Sequence, residues 1–160
     1  MRHSDKVELA CRSNMANSFC SGIIETTPAG VLRRPSYYVM QLYARHARPV
    51  PLRIEQAGDG PDLFACSSMD GRSLVIFAIN SKTEPVDWSY QFEGFAAPVR
   101  ALKAEMVGDT EDARQPDVMN HWTSPQRVRT TGMPLMPEQK KLVLPALSVM
   151  ALEFEASRAP

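Results

Sequence analysis

The stretch "VDWSYQF", residues 86–92, alternates apolar and polar side chains without a break. Val86, Trp88, Tyr90 and Phe92 fall on one side, and Asp87, Ser89 and Gln91 on the other. Successive side chains of a β-strand point to opposite faces, so this segment can only rest one face on a core and turn the other to water. The same period returns in "SVMALEF", where Met150, Leu152 and Phe154 oppose Val149, Ala151 and Glu153. In "VRALKAEMV" the set Leu102, Ala104 and Met106 opposes Lys103 and Glu105. "SLVIFAIN" is apolar on both faces, as a strand in the middle of a sheet would be. Weaker strand patterns lie in "PLRIEQ", "DLFACSS", "QRVRTT" and "KKLVLP". Seven or eight short strands separated by turn signals predict a mainly β fold, an antiparallel sandwich of jelly-roll-like form. "MDGR", residues 69–72, predicts a hairpin with a type I′ turn. Residues 108–125 have no period and predict a long surface loop.

One segment breaks this rhythm. "RRPSYYVMQLYARHARPVPL", residues 33–52, is fenced by prolines and predicts a helix from Ser36 to His46. Pro35 suits its first turn, and Arg45, His46 and Arg48 suit its negative end before Pro49. Its apolar residues cover more than one stripe, so it asks for cover on two sides. Upstream, "KVELACRSNMANSF" begins as a mixed apolar strand and runs into small and polar residues. Strand, loop and helix make one βα unit, which cannot bury both faces of its strand alone.

The balance of 18 Lys plus Arg against 18 Asp plus Glu, with no dense basic run, argues against nucleic acid or an anionic membrane as a partner. The longest apolar run, "LVIFAI", is too short to span a bilayer. "MRHSDKVELA" has charges where the apolar part of a signal peptide would sit, and localisation stays open. Cys11, Cys20 and Cys66 have neither a paired count nor a CxxC spacing, and are expected to be buried free thiols.

"RHSDKVELACRSNMANSF" followed by "RRPSYYVMQLYARHA" resembles the C-terminal stretch of the family-51 glycoside hydrolases, the α-L-arabinofuranosidases. "NHWTSPQRVRTT" and "LVLPALSVMALEF" resemble the tail of the same family's β-sandwich, and the likeness runs from about residue 2 to 155. The resemblance implies that residues 1–48 are the last βα unit of a catalytic (β/α)8 barrel and that residues 49–156 are the sandwich behind it. It implies hydrolysis of terminal non-reducing α-L-arabinofuranosides by the complete enzyme, in L-arabinose metabolism. The family's acid/base and nucleophile are two glutamates on earlier barrel strands, set about 5–5.5 Å apart for retention. This chain is therefore expected to carry no catalytic residue, to be inactive alone, and to support a barrel that handles arabinose-containing saccharides.

The residues themselves offer no other catalytic set. Glu8, Glu25, Asp59, Asp62 and Asp70 form no acid/base pattern, and His3, His46 and His121 stand apart without metal-ligand spacing. No phosphate loop, dinucleotide fingerprint or nucleophile elbow occurs, so neither cofactor nor metal is expected. Asn14 is the one candidate substrate-binding residue. The family position it matches carries a carboxamide, usually Gln, that hydrogen-bonds a sugar hydroxyl, a task suited to a group that both donates and accepts. Asparagine is one methylene shorter, and it also often ties down its own loop. Both readings stand, while Asn17 reads as structural. Trp88 and Trp122 keep open an alternative, an independent carbohydrate-binding module. Trp88 shares its face with Val86, Tyr90 and Phe92 and so belongs to the expected core. A β-sandwich interaction domain is a third possibility.

Overall fold

The computed structural model describes residues 6–7, 11, 15–18, 22–95, 99–136 and 139–156. Among these described residues, ten strands and one helix follow in the order β1 (Ile24–Thr27), β2 (Gly30–Arg33), α1 (Pro35–His46), β3 (Val50–Leu52), β4 (Asp62–Ser67), β5 (Ser73–Asn80), β6 (Val86–Ser89), β7 (Arg100–Asp109), β8 (Val128–Met133), β9 (Lys141–Leu144) and β10 (Ser148–Glu155). All the strand pairs are antiparallel. The main sheet has six strands in the order β3-β4-β5-β10-β7-β8. β6 and β9 pair separately, as do β1 and β2.

The mainly β, antiparallel fold is as the alternation predicts, and every segment with that period contains a strand. The sandwich is uneven. The β6–β9 ribbon covers one face of the main sheet, where Trp88, Leu142 and Leu144 meet Leu74, Ile76, Met150, Leu152 and Phe154. Helix α1 covers the other, packing Leu42 with Cys66, Val75, Phe77, Val107 and Ala151. β5 and β10 lie in the middle of the sheet and carry apolar residues on both faces because both faces are roofed. β3 tolerates Pro51 because it is an edge strand.

Three local features differ from the alternation. First, β7 and β10 shift register between Glu153 and Phe154: Glu153 pairs with Lys103 and Phe154 with Ala101. Leu102 is the extra residue. A bulge reverses the inside-outside order beyond it, so Ala101 and Ala104 both face the core while Leu102 is 60% exposed. Second, the β4–β5 hairpin forms, but with positive φ at Gly71 alone and a Gly71 N–H donated to the Ser68 carbonyl (3.0 Å). A type I′ turn needs positive φ at both central residues, so this is the longer loop in which a left-handed Gly follows the turn. Asp70 secures it, accepting from the Arg72 N–H (3.1 Å) and the Ser68 hydroxyl (2.5 Å). Third, "IETTPAGVLR" forms the β1–β2 hairpin inside what reads as a loop before α1. Pro28 and Gly30, flanking Ala29, carry the turn signal.

Helix α1 has Pro35 in its first turn and Arg45 and His46 in its last, and the Ala47 N–H closes it on the Tyr43 carbonyl (2.9 Å). Cys66 is buried, which pushes its thiol up despite the nearby Arg48 amide, whereas Cys11 is exposed, contrary to expectation. Cys11 lies before the hairpin, outside both cores.

Candidate functional site

The N-terminal part of the chain meets the sheet through α1, the β1–β2 hairpin and the loop between β7 and β8. Residues 15–18 run beside β1: Asn17 donates its N–H to the Ile24 carbonyl (2.9 Å). With φ of 51°, Asn17 sits in the left-handed region that Asn tolerates. Its carboxamide donates to the Thr26 hydroxyl and accepts from the Thr26 N–H, both at 2.7 Å. That side chain is committed to the hairpin, as its structural reading requires. Asn14, Glu8, His3 and Cys20 lie outside the described residues.

The 110–127 loop has no regular strand, yet it is pinned at both ends. Asn120 is fully buried. Its amide donates to the carbonyls of Arg33 and Val128 at 2.8 Å each, and its carbonyl accepts from the Val128 N–H at 2.7 Å. One side chain thus fastens the loop to β2 and to β8. At the other end the Asp109 carboxylate accepts from the N–H groups of Glu111 (3.1 Å) and Ala113 (2.9 Å) and from Arg127 Nε (3.3 Å). Burial pushes this carboxyl up, and the three donors more than offset that, leaving it below the usual carboxylate range. A depressed folded value means stability that is present above the unfolded value and lost as pH falls through the folded one. Asp109→Asn should therefore cost about 1–2 kcal/mol near neutral pH. The gap between wild type and variant should shrink as pH falls below the ordinary Asp value of about 3.9, measured by urea unfolding at a series of acid pH values.

The loop, the hairpin and the helix each expose apolar side chains. Trp122 is 48% exposed, with its indole beside Gly30 at the hairpin turn. Met119 receives Arg34 Nη1 at 3.2 Å, and Arg34 also pairs with Glu25. Val31 on β2 is 55% exposed, and Met40 on the outer side of α1 is exposed as well. The guanidinium of Arg33 lies 5.3 Å above the Tyr37 ring.

Next to the start of α1 is a cavity of about 160 Å3, lined by Pro35, Val39, Met106, Asp112, Arg114 and Leu147 among others. Asp112, Arg114 and Leu147 all have positive φ. Its charges are spent on one another: Arg114 pairs with Asp112 (3.2 Å) and Glu84 (3.5 Å). Two of the acids singled out in the sequence are similarly held, Glu25 by Arg34 and Asp59 by Lys82 (2.7 Å). His46, which stands alone in the sequence, is brought between Glu105 and Glu153. Nothing in the alternating strands flags those two acids beyond their polar face. Among the described residues no group of three His, Cys, Asp or Glu could hold a metal ion, and no helix is long and apolar enough to cross a membrane.

The described residues thus form a mainly β, antiparallel domain with one helix packed on its main sheet. The chain belongs to the α-L-arabinofuranosidase C-terminal domain family, whose pattern it matches over residues 1–148. It is similar in fold to an α-L-arabinofuranosidase from Thermotoga maritima solved as an arabinose complex, with a TM-score of 0.81 and 18% identity over 96% of this chain. Similar likenesses connect it to the family-51 enzymes of Thermotoga petrophila (TM-score 0.80, 17% identity, 95% of this chain) and Xanthomonas axonopodis pv. citri (0.73, 21%, 96%). It spans only 35%, 35% and 32% of those three chains, corresponding to their C-terminal region. No curated protein matches it significantly.

Proposed function

We propose that this chain is the C-terminal part of an α-L-arabinofuranosidase, working with a catalytic barrel that removes terminal non-reducing α-L-arabinofuranosyl groups. Residues 1–48 supply the last βα unit of that barrel and residues 49–156 the sandwich that supports it. The observation that carries this reading is the family match over residues 1–148, which runs through the helix into the sheet without interruption. The exposed apolar side chains of Val31, Met40, Met119 and Trp122, on the hairpin, the helix and the loop, support it, because exposed apolar surface is where another body can pack. Asn14 would stand at the rim of the barrel pocket, offering its carboxamide to a sugar hydroxyl. The carbohydrate-binding alternative loses one of its two tryptophans, since Trp88 is buried against the main sheet.

The test joins the chain, in trans, to a family-51 barrel cut before its own last βα unit. Neither piece alone should hydrolyse an aryl arabinofuranoside, and the mixture should. Val31→Asp should weaken the association at least tenfold, about 1.4 kcal/mol. In the restored enzyme Asn14→Ala should lower kcat/KM about 5- to 150-fold, the consequence of ~1–3 kcal/mol for a desolvated hydroxyl left without its partner. Hydrolysis by the chain alone would overturn the proposal. Binding of arabino-oligosaccharides by the chain alone, without association with the barrel, would favour a binding module instead.

A further inference from the structure

Helix α1 has two sides of different character. Its inner side is fixed to the sheet: Leu42 is 1% exposed, Tyr43 stacks on Phe77 at 4.4 Å, and Tyr38 and Val39 pack in the same cluster. At 3.6 residues per turn, Tyr37, Met40, Gln41 and Ala44 fall on one stripe, on the side away from Leu42 and His46. Met40 and Ala44 are exposed, and Tyr37 and Gln41 are partly buried.

The side of a surface helix that faces water ordinarily carries charged residues. None of the four residues on this stripe is charged. Their polar atoms are turned on one another: Gln41 Nε2 donates to the Tyr37 hydroxyl (3.2 Å), and the Arg33 guanidinium lies over the Tyr37 ring. Covering such a surface leaves few hydrogen bonds to replace. The stripe continues onto the hairpin, because Val31, exposed like Arg33, shares one face of β2 with it. Tyr, Met and Arg without Lys or Glu is the composition of the middle of an interface. Ala44 is small and Met40 unbranched, so a neighbouring helix can approach closely and meet a surface that adapts to it. Arg45 stands beside Gln41, one turn on, and is exposed. Among the described residues, neither Arg33 nor Arg45 is paired with a carboxylate.

We propose that this seam, from Val31 through Tyr37 to Ala44, receives a helix of the catalytic barrel that carries an apolar stripe and carboxylates placed to meet Arg33 and Arg45. The inference rests on the function proposed above and adds which surface meets the barrel and what chemistry the partner brings. Three observations select this occupant. The sheet already holds the inner side of α1, so the sandwich cannot also cover the outer one. The chain spans 35% of the Thermotoga maritima arabinofuranosidase it resembles, which leaves a larger body to supply the cover. The last helix of a barrel stands in a ring of helices, and two unpaired guanidinium groups beside an uncharged stripe ask that neighbour for acids. Helix α1 is then common to both bodies. One side belongs to the sandwich core and the other to the barrel's outer ring, so the two are joined through a packed element and not through a flexible linker.

The test compares the full chain with the same chain joined behind a family-51 barrel that lacks its own last βα unit. Hydrogen peroxide converts exposed methionine to the sulfoxide, and mass spectrometry of peptides gives the rate at each position. Met40 should react at least tenfold more slowly, an order-of-magnitude expectation for a thioether taken out of water, in the joined enzyme. Met136, 73% exposed in the connection to β9, should keep its rate. With the two pieces mixed in trans, Met40→Lys should weaken association by about tenfold or more, and Arg45→Glu by about three- to tenfold. Val143→Lys makes the same kind of change on the outer face of β9, across the sheet from α1, and should leave association as it is. An active joined enzyme in which Met40 keeps its rate would overturn the seam and leave the proposed function standing. So would an association indifferent to both Met40→Lys and Arg45→Glu. Absence of both activity and association with the wild-type chain would overturn the two together.

Discussion

Phe77→Ala should cost about 3–5 kcal/mol, the range for deleting a large aromatic from a packed core. Phe77 has no exposed surface and lies on the α1 face of β5, stacked on Tyr43 at 4.4 Å and on Phe64 at 6.0 Å. The residues around it, Leu42, Val75, Val107 and Ala151, come from the helix and three strands, so no single element can move in to fill the space. A domain of ordinary stability, about 5–15 kcal/mol, would be left marginal. Guanidinium unfolding followed by circular dichroism measures the shift in midpoint. Leu102→Ala is the internal comparison. Plain alternation would place Leu102 with Ala104 in the core, and its removal would then cost ~2–5 kcal/mol. The bulge turns it outward, so the change should stay within about 0.5 kcal/mol. A costly Leu102→Ala would mean that β7 pairs in regular register. A nearly neutral Phe77→Ala would mean that α1 is not held on the sheet by this stack.

Asn120→Ala should be nearly as damaging, at about 3–5 kcal/mol, although it deletes few apolar atoms. The substitution leaves the Arg33 carbonyl, the Val128 carbonyl and the Val128 N–H without their partner in a buried site. Each such group costs roughly 1–3 kcal/mol, and entry of a water molecule would recover part of the sum. Asn120→Asp keeps one acceptor and loses both donors, so it should not rescue the loss. Amide exchange should speed up most at Val128, with little change in the middle of β5. A cost below about 1 kcal/mol would show that the 110–127 loop is held by other contacts.

The elements and their inward faces are legible in the sequence, because they depend on neighbours two or four residues away. "VDWSYQF" places Trp88, Tyr90 and Phe92 on one side. The structure keeps them there even though β6 ends at Ser89: Tyr90 and Phe92 each pack on Phe154 at 5.0 Å. The limits of α1 follow from Pro35 and the basic last turn, and the family resemblance follows from the order of short motifs. The β1–β2 hairpin was within reach, since Pro28 and Gly30 mark its turn, but strands of four residues carry too little period to stand out.

Tertiary structure decided what depends on distant partners. It set β10 between β5 and β7, and the Leu102 bulge arose from fitting β7 to that neighbour. It made Asn120, inside an aperiodic stretch, the pin of a loop 87 residues away from Arg33 in sequence. It also joined His46 to Glu105 and Glu153 across 59 and 107 residues. Read along the strands, both glutamates are polar residues on an alternating face, no different from solvated ones. Only when α1 roofs that face are they partly withdrawn from water and brought against His46, and a carboxylate so withdrawn needs a partner. Local pattern therefore fixes which residues can face inward, while the identity of what they meet there is set by chain closure over long loops, which leaves no periodic mark.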